Sequence, residues 1–349
     1  MRKIFLFLLS VFISACIATM VSAQQDVKYS VASVGFYNLE NLFDTVNNIE
    51  LQNSTEFTPE GLNKWTSKRY HEKLKNMAFV ISEIATDVTP DGLAILGIAE
   101  IENRGVLEDL VKESIIIKRN YQIVHYDSPD ERGVDVGLLY QPRYFKVTNS
   151  RSHTLKMADT SFLTRDQLVV SGLLGGEMIH VIVNHWPSRR GGEKASRPDR
   201  NAAADLSRSI VDSLLKIDPN AKILVMGDLN DDPVNQSVKD HLRAKGREDL
   251  LMPGDMFNPM YKLYKEGIGS LAYDDAWNLF DQIIVSQGLL GPDKSTWKYY
   301  NARVYNKNYM KQKDGAYAGY PLRTFAGGVY MNGYSDHFPV YVNLVKEVK

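Results

Sequence analysis

Groups of polar residues sit where short apolar runs stop. Asn38 and Glu40 close the first run, and Glu100, Glu102 and Asn103 follow residues 93–99. Asn184-His185-Trp186 follows 179–183, Asp228, Asn230, Asp231 and Asp232 follow 223–226, and Asp336-His337 precedes 340–344. Carboxylates and amide oxygens suit a hard divalent cation, Mg²⁺ first, with Mn²⁺ or Ca²⁺ as alternatives. Imidazoles suit proton transfer near neutral pH. His185 and His337 lie far apart without the spacing of a helical zinc motif, which argues against a zinc centre. Each group alone reads as a turn, because Asp and Asn begin turns. Together, with two His among them, they read as the edge of one site.

Such an edge needs strands that end side by side. Apolar β-type runs recur at 31–37, 93–99, 121–126, 134–140, 167–173, 179–184, 221–226, 280–285 and 340–344, most of them bounded by Gly, Asn, Asp or Pro. Two stretches carry helical periodicity. Residues 67–86 are apolar at Leu74, Met77, Ala78, Ile81, Ile84 and Ala85; residues 201–217 are apolar at Ala203, Leu206, Ile210, Leu214 and Ile217. Many strands with few helices between them predict an α/β fold, a four-layer sandwich of two packed mixed sheets flanked by helices, rather than a doubly wound sheet. Nothing resembles a linker, so residues 24–349 are expected to form one domain. Weak periodicity at 234–275 and 288–334 predicts long surface insertions.

The N-terminus reads as a targeting segment. Arg2 and Lys3 precede the apolar residues 4–17, and Val21-Ser22-Ala23 offers a cleavage site, so 1–23 is expected to be a signal peptide. The protein is then secreted, periplasmic or held at the cell surface. Ile13-Ser14-Ala15-Cys16 also resembles a lipoprotein processing box, although the residues after Cys16 stay apolar. Cys16 is the only cysteine, so a chain starting at Gln24 has no disulfide to hold it. Losing Arg2 and Lys3 takes the net charge from −1 to about −3, and any polyanion must be met by local clusters. No protein partner is implied, and no later run reaches transmembrane length.

Five segments occur in a telling order: Val34-Gly35-Phe36-Tyr37-Asn38-Leu39-Glu40, Leu96-Gly97-Ile98-Ala99-Glu100, Asn184-His185-Trp186-Pro187-Ser188, Gly227-Asp228-Leu229-Asn230-Asp231 and Ser335-Asp336-His337-Phe338-Pro339-Val340. In these the chain resembles the endonuclease/exonuclease/phosphatase superfamily, and most of all its secreted bacterial deoxyribonuclease-like branch. The resemblance implies a metal-dependent phosphodiester hydrolase. Asn38, Glu100 and Asp336 would hold the metal, and Asp228 and Asn230 would orient the attacking water. His337 would act as base or phosphate-stabilising imidazole, with Asp281 fixing its tautomer. His185 would sit by the leaving oxygen, paired with Asp135. Arg165, Asn184 and Arg189 would contact the phosphate. Many relatives carry Gln where this chain has Ala99; Glu102 and Asn103 would compensate or form a solvated turn.

Substrate class rests on local charge. Arg189, Arg190, Lys194, Arg197 and Arg200 make a basic stretch after the His185 motif. From Trp297 to Phe325, Tyr residues alternate with Lys and Arg, which suits stacking on bases and contact with phosphates. These features favour a sequence-nonspecific nuclease acting on DNA, with RNA as a further substrate. The alternative is a lipid or sugar phosphodiesterase, or a phosphatase, of the same fold.

Overall fold

In the central strands of the chain both faces are apolar, and they face different neighbours. In the first strand Ala32, Val34 and Phe36 face one way while Tyr37 and Leu39 face the other. A strand buried on both faces reads as a continuous apolar run rather than an alternating one.

The computed structural model describes residues 28–51, 53–157 and 162–348. The expected signal peptide, its cleavage site and Cys16 lie outside these residues. In chain order the strands are β1 (Tyr29–Leu42), β2 (Leu93–Ile101), β3 (Gln122–His125), β4 (Asp135–Tyr140), β5 (Phe145–His153), β6 (Gln167–Leu174), β7 (Glu177–His185), β8 (Ile223–Asp228) and β9 (Ala244–Lys245). They continue with β10 (Met256–Phe257), β11 (Leu271–Tyr273), β12 (Ala276–Asn278), β13 (Asp281–Ser286), β14 (Lys298–Val304), β15 (Phe325–Ala326), β16 (Val329–Tyr330) and β17 (Val340–Glu347). One sheet has the order β14-β17-β1-β2-β4-β3 and the other β5-β6-β7-β8-β13-β10-β9. Both are mixed: β1–β2 and β7–β8 run parallel, while β1–β17 and β8–β13 run antiparallel.

The inner faces of the sheets pack on each other through Val34, Phe36, Ile95 and Leu138 on one side and Val181, Val183, Leu224 and Met226 on the other. Helices α1 (Ser67–Glu83) and α2 (Arg104–Val111) cover the outside of the first sheet with Leu74, Met77, Ile81, Leu107 and Leu110. Helix α3 (Glu193–Ile217) covers the second with Ala203, Ala204, Ile210 and Val211. This is the expected four-layer sandwich. Among the described residues no helix is long and apolar enough to cross a membrane.

Two segments contribute more to the framework than expected, one read as part of an insertion and one as a basic stretch. Lys298–Val304 is the edge strand beside β17, and Trp297 is buried against Leu174, whose carbonyl accepts its indole N–H at 2.8 Å. Helix α3 starts at Glu193, eight residues before the expected start, and absorbs half of the basic stretch. Interleaved Tyr, Lys and Arg hide the packing of β14, and Pro198 with its charged neighbours hides the start of α3.

The sheets approach closely at Gly97, where a Cβ would lie 2.6 Å from Met226 Sδ and 3.2 Å from Val183 Cγ1. Gly97→Val therefore overpacks the inter-sheet core. The expected cost is about 1–3 kcal/mol in urea unfolding, with Gly97→Ala losing less because Met226 is flexible.

Candidate active site

Strand register assembles the site. His185 at the end of β7 lies opposite Asp228 at the end of β8, and Asp228 lies opposite Asp281 at the start of β13. Three site residues thus stand in a row across the end of one sheet. Gly227 permits the close approach, since a Cβ there would meet the Asn184 carbonyl oxygen at 2.2 Å. On the other sheet Asn38 pairs with Ala99, and β2 bulges against β4 between Ala99 and Ile101. Glu100 occupies that bulge with φ 60°; Glu40, Asn41 and Asn230 are also left-handed, at φ 50°, 52° and 50°. Such backbone costs about 1–3 kcal/mol per residue and persists where surrounding contacts hold it. Here it re-aims polar side chains at the sheet edge.

At this edge a buried hydrogen bond joins the two sheets, from Asn38 Nδ2 to Asp228 Oδ2 at 3.1 Å. The same Asp228 oxygen faces His185 Nε2 at 3.6 Å and His337 Nε2 at 3.9 Å. Its other oxygen accepts the Asn230 N–H at 3.0 Å. Behind His337, Nδ1 meets Asp281 Oδ2 at 2.7 Å, and Ser270 Oγ donates to that oxygen too. Ser335 Oγ donates to the Asn38 carbonyl and accepts the His337 N–H, which fixes the Ser-Asp-His turn on β1.

These contacts set the charges. Burial alone would lower the His337 pKa, but Asp281 and then Asp228 outweigh it and hold the imidazole well above its ordinary value. His185 moves the opposite way: burial, then the cations Arg165, Arg132 and His337, hold it well below. Burial pushes the Asp228 carboxyl up to about 6, against the pull of His337. One charged and one neutral imidazole therefore flank a single carboxylate oxygen.

Acidic groups crowd the rest of the edge, each with a cation beside it. Glu100 Oε2 accepts the Asn41 N–H at 3.0 Å, and its Oε1 lies 3.6 Å from Arg132 and 3.8 Å from His185. Asp336 accepts from Arg323 Nη2 at 2.8 Å. Burial works to raise the Asp336 carboxyl, but His337, Arg323 and Lys73 hold it below the usual range. Glu40 is buried among Lys73, Arg323 and the Thr324 N–H and hydroxyl. Burial, then Asp336, push its carboxyl up. Arg132, Arg323 and Lys73 were not legible as site residues; nothing distinguishes an isolated Arg or Lys in sequence until the fold places it beside a carboxylate. The hard oxygen donors of Glu100, Asp336 and Asn38 fit a divalent ion such as Mg²⁺. Asn38 Oδ1 also accepts the Glu40 N–H at 2.9 Å.

Several expected partners lie elsewhere. Asp135 pairs with His125 Nε2 at 2.9 Å and with Ser128, not with His185. The sheet order sets β4 outside β2, next to β3, and the carboxylates facing His185 are Asp228 and Glu100. Among the described residues His185 Nδ1 has no hydrogen-bond partner. His125, Asp127 and Asp135 form a His and carboxylate cluster with ligand atoms within 4.8 Å of one another. The Arg165 guanidinium is not open to a phosphate; it is buried on the His185 and Trp186 carbonyls and Asp130. Asn184 holds strands together, bonding the Met226 carbonyl, Trp186 Nε1 and Ser207. Arg189 is engaged with the Asn230 carbonyl and with Asp231, above the Phe280 ring. Arg197 pairs with Glu193, and Arg200 is buried on Asp231 at 2.8 Å. Asn103 caps α2 and Glu102 accepts the Asp44 N–H, so both serve turns.

The Asp281–His337 pair makes a direct prediction for metal-free protein. His337 is expected to titrate above the ordinary histidine range by NMR, and Asp281→Asn to bring its midpoint down. Because the folded-state value is raised, the pair's stabilisation is present below the ordinary histidine pKa and fades as pH rises through the raised value. The stability gap between wild type and Asp281→Asn should narrow along that limb.

Known proteins share this architecture. The model of the Endonuclease/Exonuclease/phosphatase family matches residues 33–346. The D. rerio TDP2 crystallised with a single-strand DNA product aligns with TM-score 0.54 and 13% identity over 90% of this chain and 99% of that one. TDP2 from C. elegans aligns at 0.53 and 16% identity, covering 95% of this chain and 80% of its own. A mannosyl-6-phosphatase of Bacteroides thetaiotaomicron aligns at 0.52 and 18% identity, covering 90% and 99%. No curated protein sequence matches the chain. These structural likenesses show the fold, and the family match, spanning both sheets, the His185–Asp228–Asp281 row and His337, shows that the chain belongs to the Endonuclease/Exonuclease/phosphatase family.

Proposed function

We propose that the protein is a divalent-metal-dependent phosphoester hydrolase that works by in-line attack of water. The observation that carries this reading is the pair of imidazoles, His185 and His337, set 3.6 and 3.9 Å from one oxygen of Asp228. Displacement at phosphorus needs a proton acceptor beside the water and support for charge elsewhere on the phosphoryl group. Asp228, whose carboxyl burial pushes up to about 6, takes the proton. His337, held charged by Asp281, binds a phosphoryl oxygen. Asn230 orients the water, and His185, kept neutral, faces the departing oxygen. Glu100, Asp336 and Asn38 would hold Mg²⁺, which when bound neutralises charge on the phosphate.

The nuclease reading stands on weaker support. Arg189, Arg197 and Arg200 are tied to carboxylates and Trp297 is buried, so part of each stretch that favoured a polyanion is engaged inside the fold, while Arg190, Lys194, Tyr300 and Tyr317 stay exposed. Likeness to a protein crystallised with a DNA product supports keeping DNA among the substrates tested. Export rests on Arg2, Lys3, the apolar residues 4–17 and the site after Ala23. Expression in a bacterial host should give a mature chain beginning at Gln24 by intact mass; a full-length cytoplasmic product refutes export.

Turnover of bis(p-nitrophenyl) phosphate should require Mg²⁺ and stop with EDTA. Asp228→Asn and His337→Ala should each lower kcat by about a hundredfold or more. Metal-independent turnover, or full activity in either variant, refutes the mechanism.

A further inference from the structure

A cleft of about 510 Å³ opens from the site at Asp336. One wall is the hairpin of β11 and β12, and the other is the segment from Gln312 to Gly327. The walls are joined by Tyr320 Oη donating to Asp275 Oδ1 at 2.9 Å. Arg323 closes the inner end, holding Asp336 at 2.8 Å and Glu40 at 3.3 Å. Asp336 Oδ1 is 4.0 Å from His337 Nε2, so the cleft opens beside the phosphate site and can take a group attached to the phosphate.

The lining selects among such groups. Tyr273 and Tyr317 are 77% and 57% exposed, so aromatic faces are offered to a ligand. Tyr317 and Tyr320 lie 5.6 Å apart at 53°, forming an angled pair rather than a flat stack. Asp274, Asp275 and Asp336 set three carboxylates against the single guanidinium of Arg323. That balance repels a phosphodiester backbone, which needs cations along its path. It suits a neutral polyhydroxyl ring, whose C–H faces pack on Tyr and whose hydroxyls donate to carboxylates and to Gln312. The volume fits a small-molecule cleft.

We infer that this cleft is the subsite for a monosaccharide ring, and that the ester cleaved is a sugar phosphate. The inference rests on the phosphoester-hydrolase reading. Water oxygen bonds to phosphorus, the bridging P–O bond breaks, and the leaving sugar oxygen takes a proton, giving inorganic phosphate and free sugar.

Saturation-transfer NMR with glucose 6-phosphate and mannose 6-phosphate, with and without Mg²⁺, tests the cleft without relying on turnover. Ring protons of at least one sugar should be saturated. The double variant Tyr273→Ala/Tyr317→Ala should weaken that binding about tenfold, as expected for two lost aromatic contacts. Binding of inorganic phosphate, which carries no ring to fill the cleft, should be unchanged in it. No saturation in either condition, or equal binding by the double variant, overturns the inference. So does tighter binding of an octadeoxythymidylate than of either sugar phosphate. Loss of bis(p-nitrophenyl) phosphate turnover in the wild type would sink the hydrolase reading instead, and the binding data would still judge the cleft.

Discussion

The hydrogen bond from Asn38 to Asp228 joins the edges of two sheets whose inner faces pack through apolar side chains. Its position is fixed by the packing beside it. Gly97 lets β2 lie against Met226, and Gly227 lets β8 lie against β7. With those distances set, the ends of β1 and β8 come within reach of one amide and one carboxylate. The site is thus a consequence of how closely the sandwich closes. A looser core would part Asn38 from Asp228 and leave a buried carboxylate without its donor, which is costly in a low-dielectric interior.

Once Asp228 is placed, its neighbours follow from register. His185 is its parallel partner on β7 and Asp281 its antiparallel partner on β13. His337 arrives from the other sheet, on the turn held by Ser335 to the Asn38 carbonyl. The environments of the two imidazoles then diverge. His337 gains a hydrogen-bonded carboxylate, while His185 lies among guanidiniums and has only long contacts to carboxylates. Groups of the same type driven to opposite charge states are the usual sign of divided labour in proton transfer.

Much of this was legible in the sequence because strand ends are marked by composition. The apolar runs at 93–99, 179–184 and 221–226 stop within a few residues of the ends of β2, β7 and β8. The polar residues after them therefore fall on one edge. Pairing across the edge was not legible. Asp135 stands at the start of its strand as expected, but whether it meets His125 or His185 depends on sheet order. Strand β5 went unseen because Phe145–His153 is an edge strand with mostly polar, half-exposed residues. Basic residues misled most. Arg165 and Arg200 are fully committed to carbonyls and carboxylates inside the fold, and sequence composition does not separate a buried Arg from a solvated one.

Arg323 shows why the segment before Ser335 is part of the site and not an appendage. Its guanidinium bridges Glu40, at the end of β1, and Asp336, beside His337. Thr324 then donates through both its N–H and its hydroxyl to Glu40, and Lys73 of α1 closes the cluster on Thr324 and the Tyr334 carbonyl. A helix of the outer layer, a strand of the first sheet and the wall of the cleft are thereby fixed to one buried carboxylate. Removing that carboxylate would leave Lys73 buried without its counter-charge, a larger loss than any surface pair would cause. The wall that meets the substrate is therefore positioned by the same electrostatics that position the reacting groups, so cleft geometry and the charge of the site cannot vary independently.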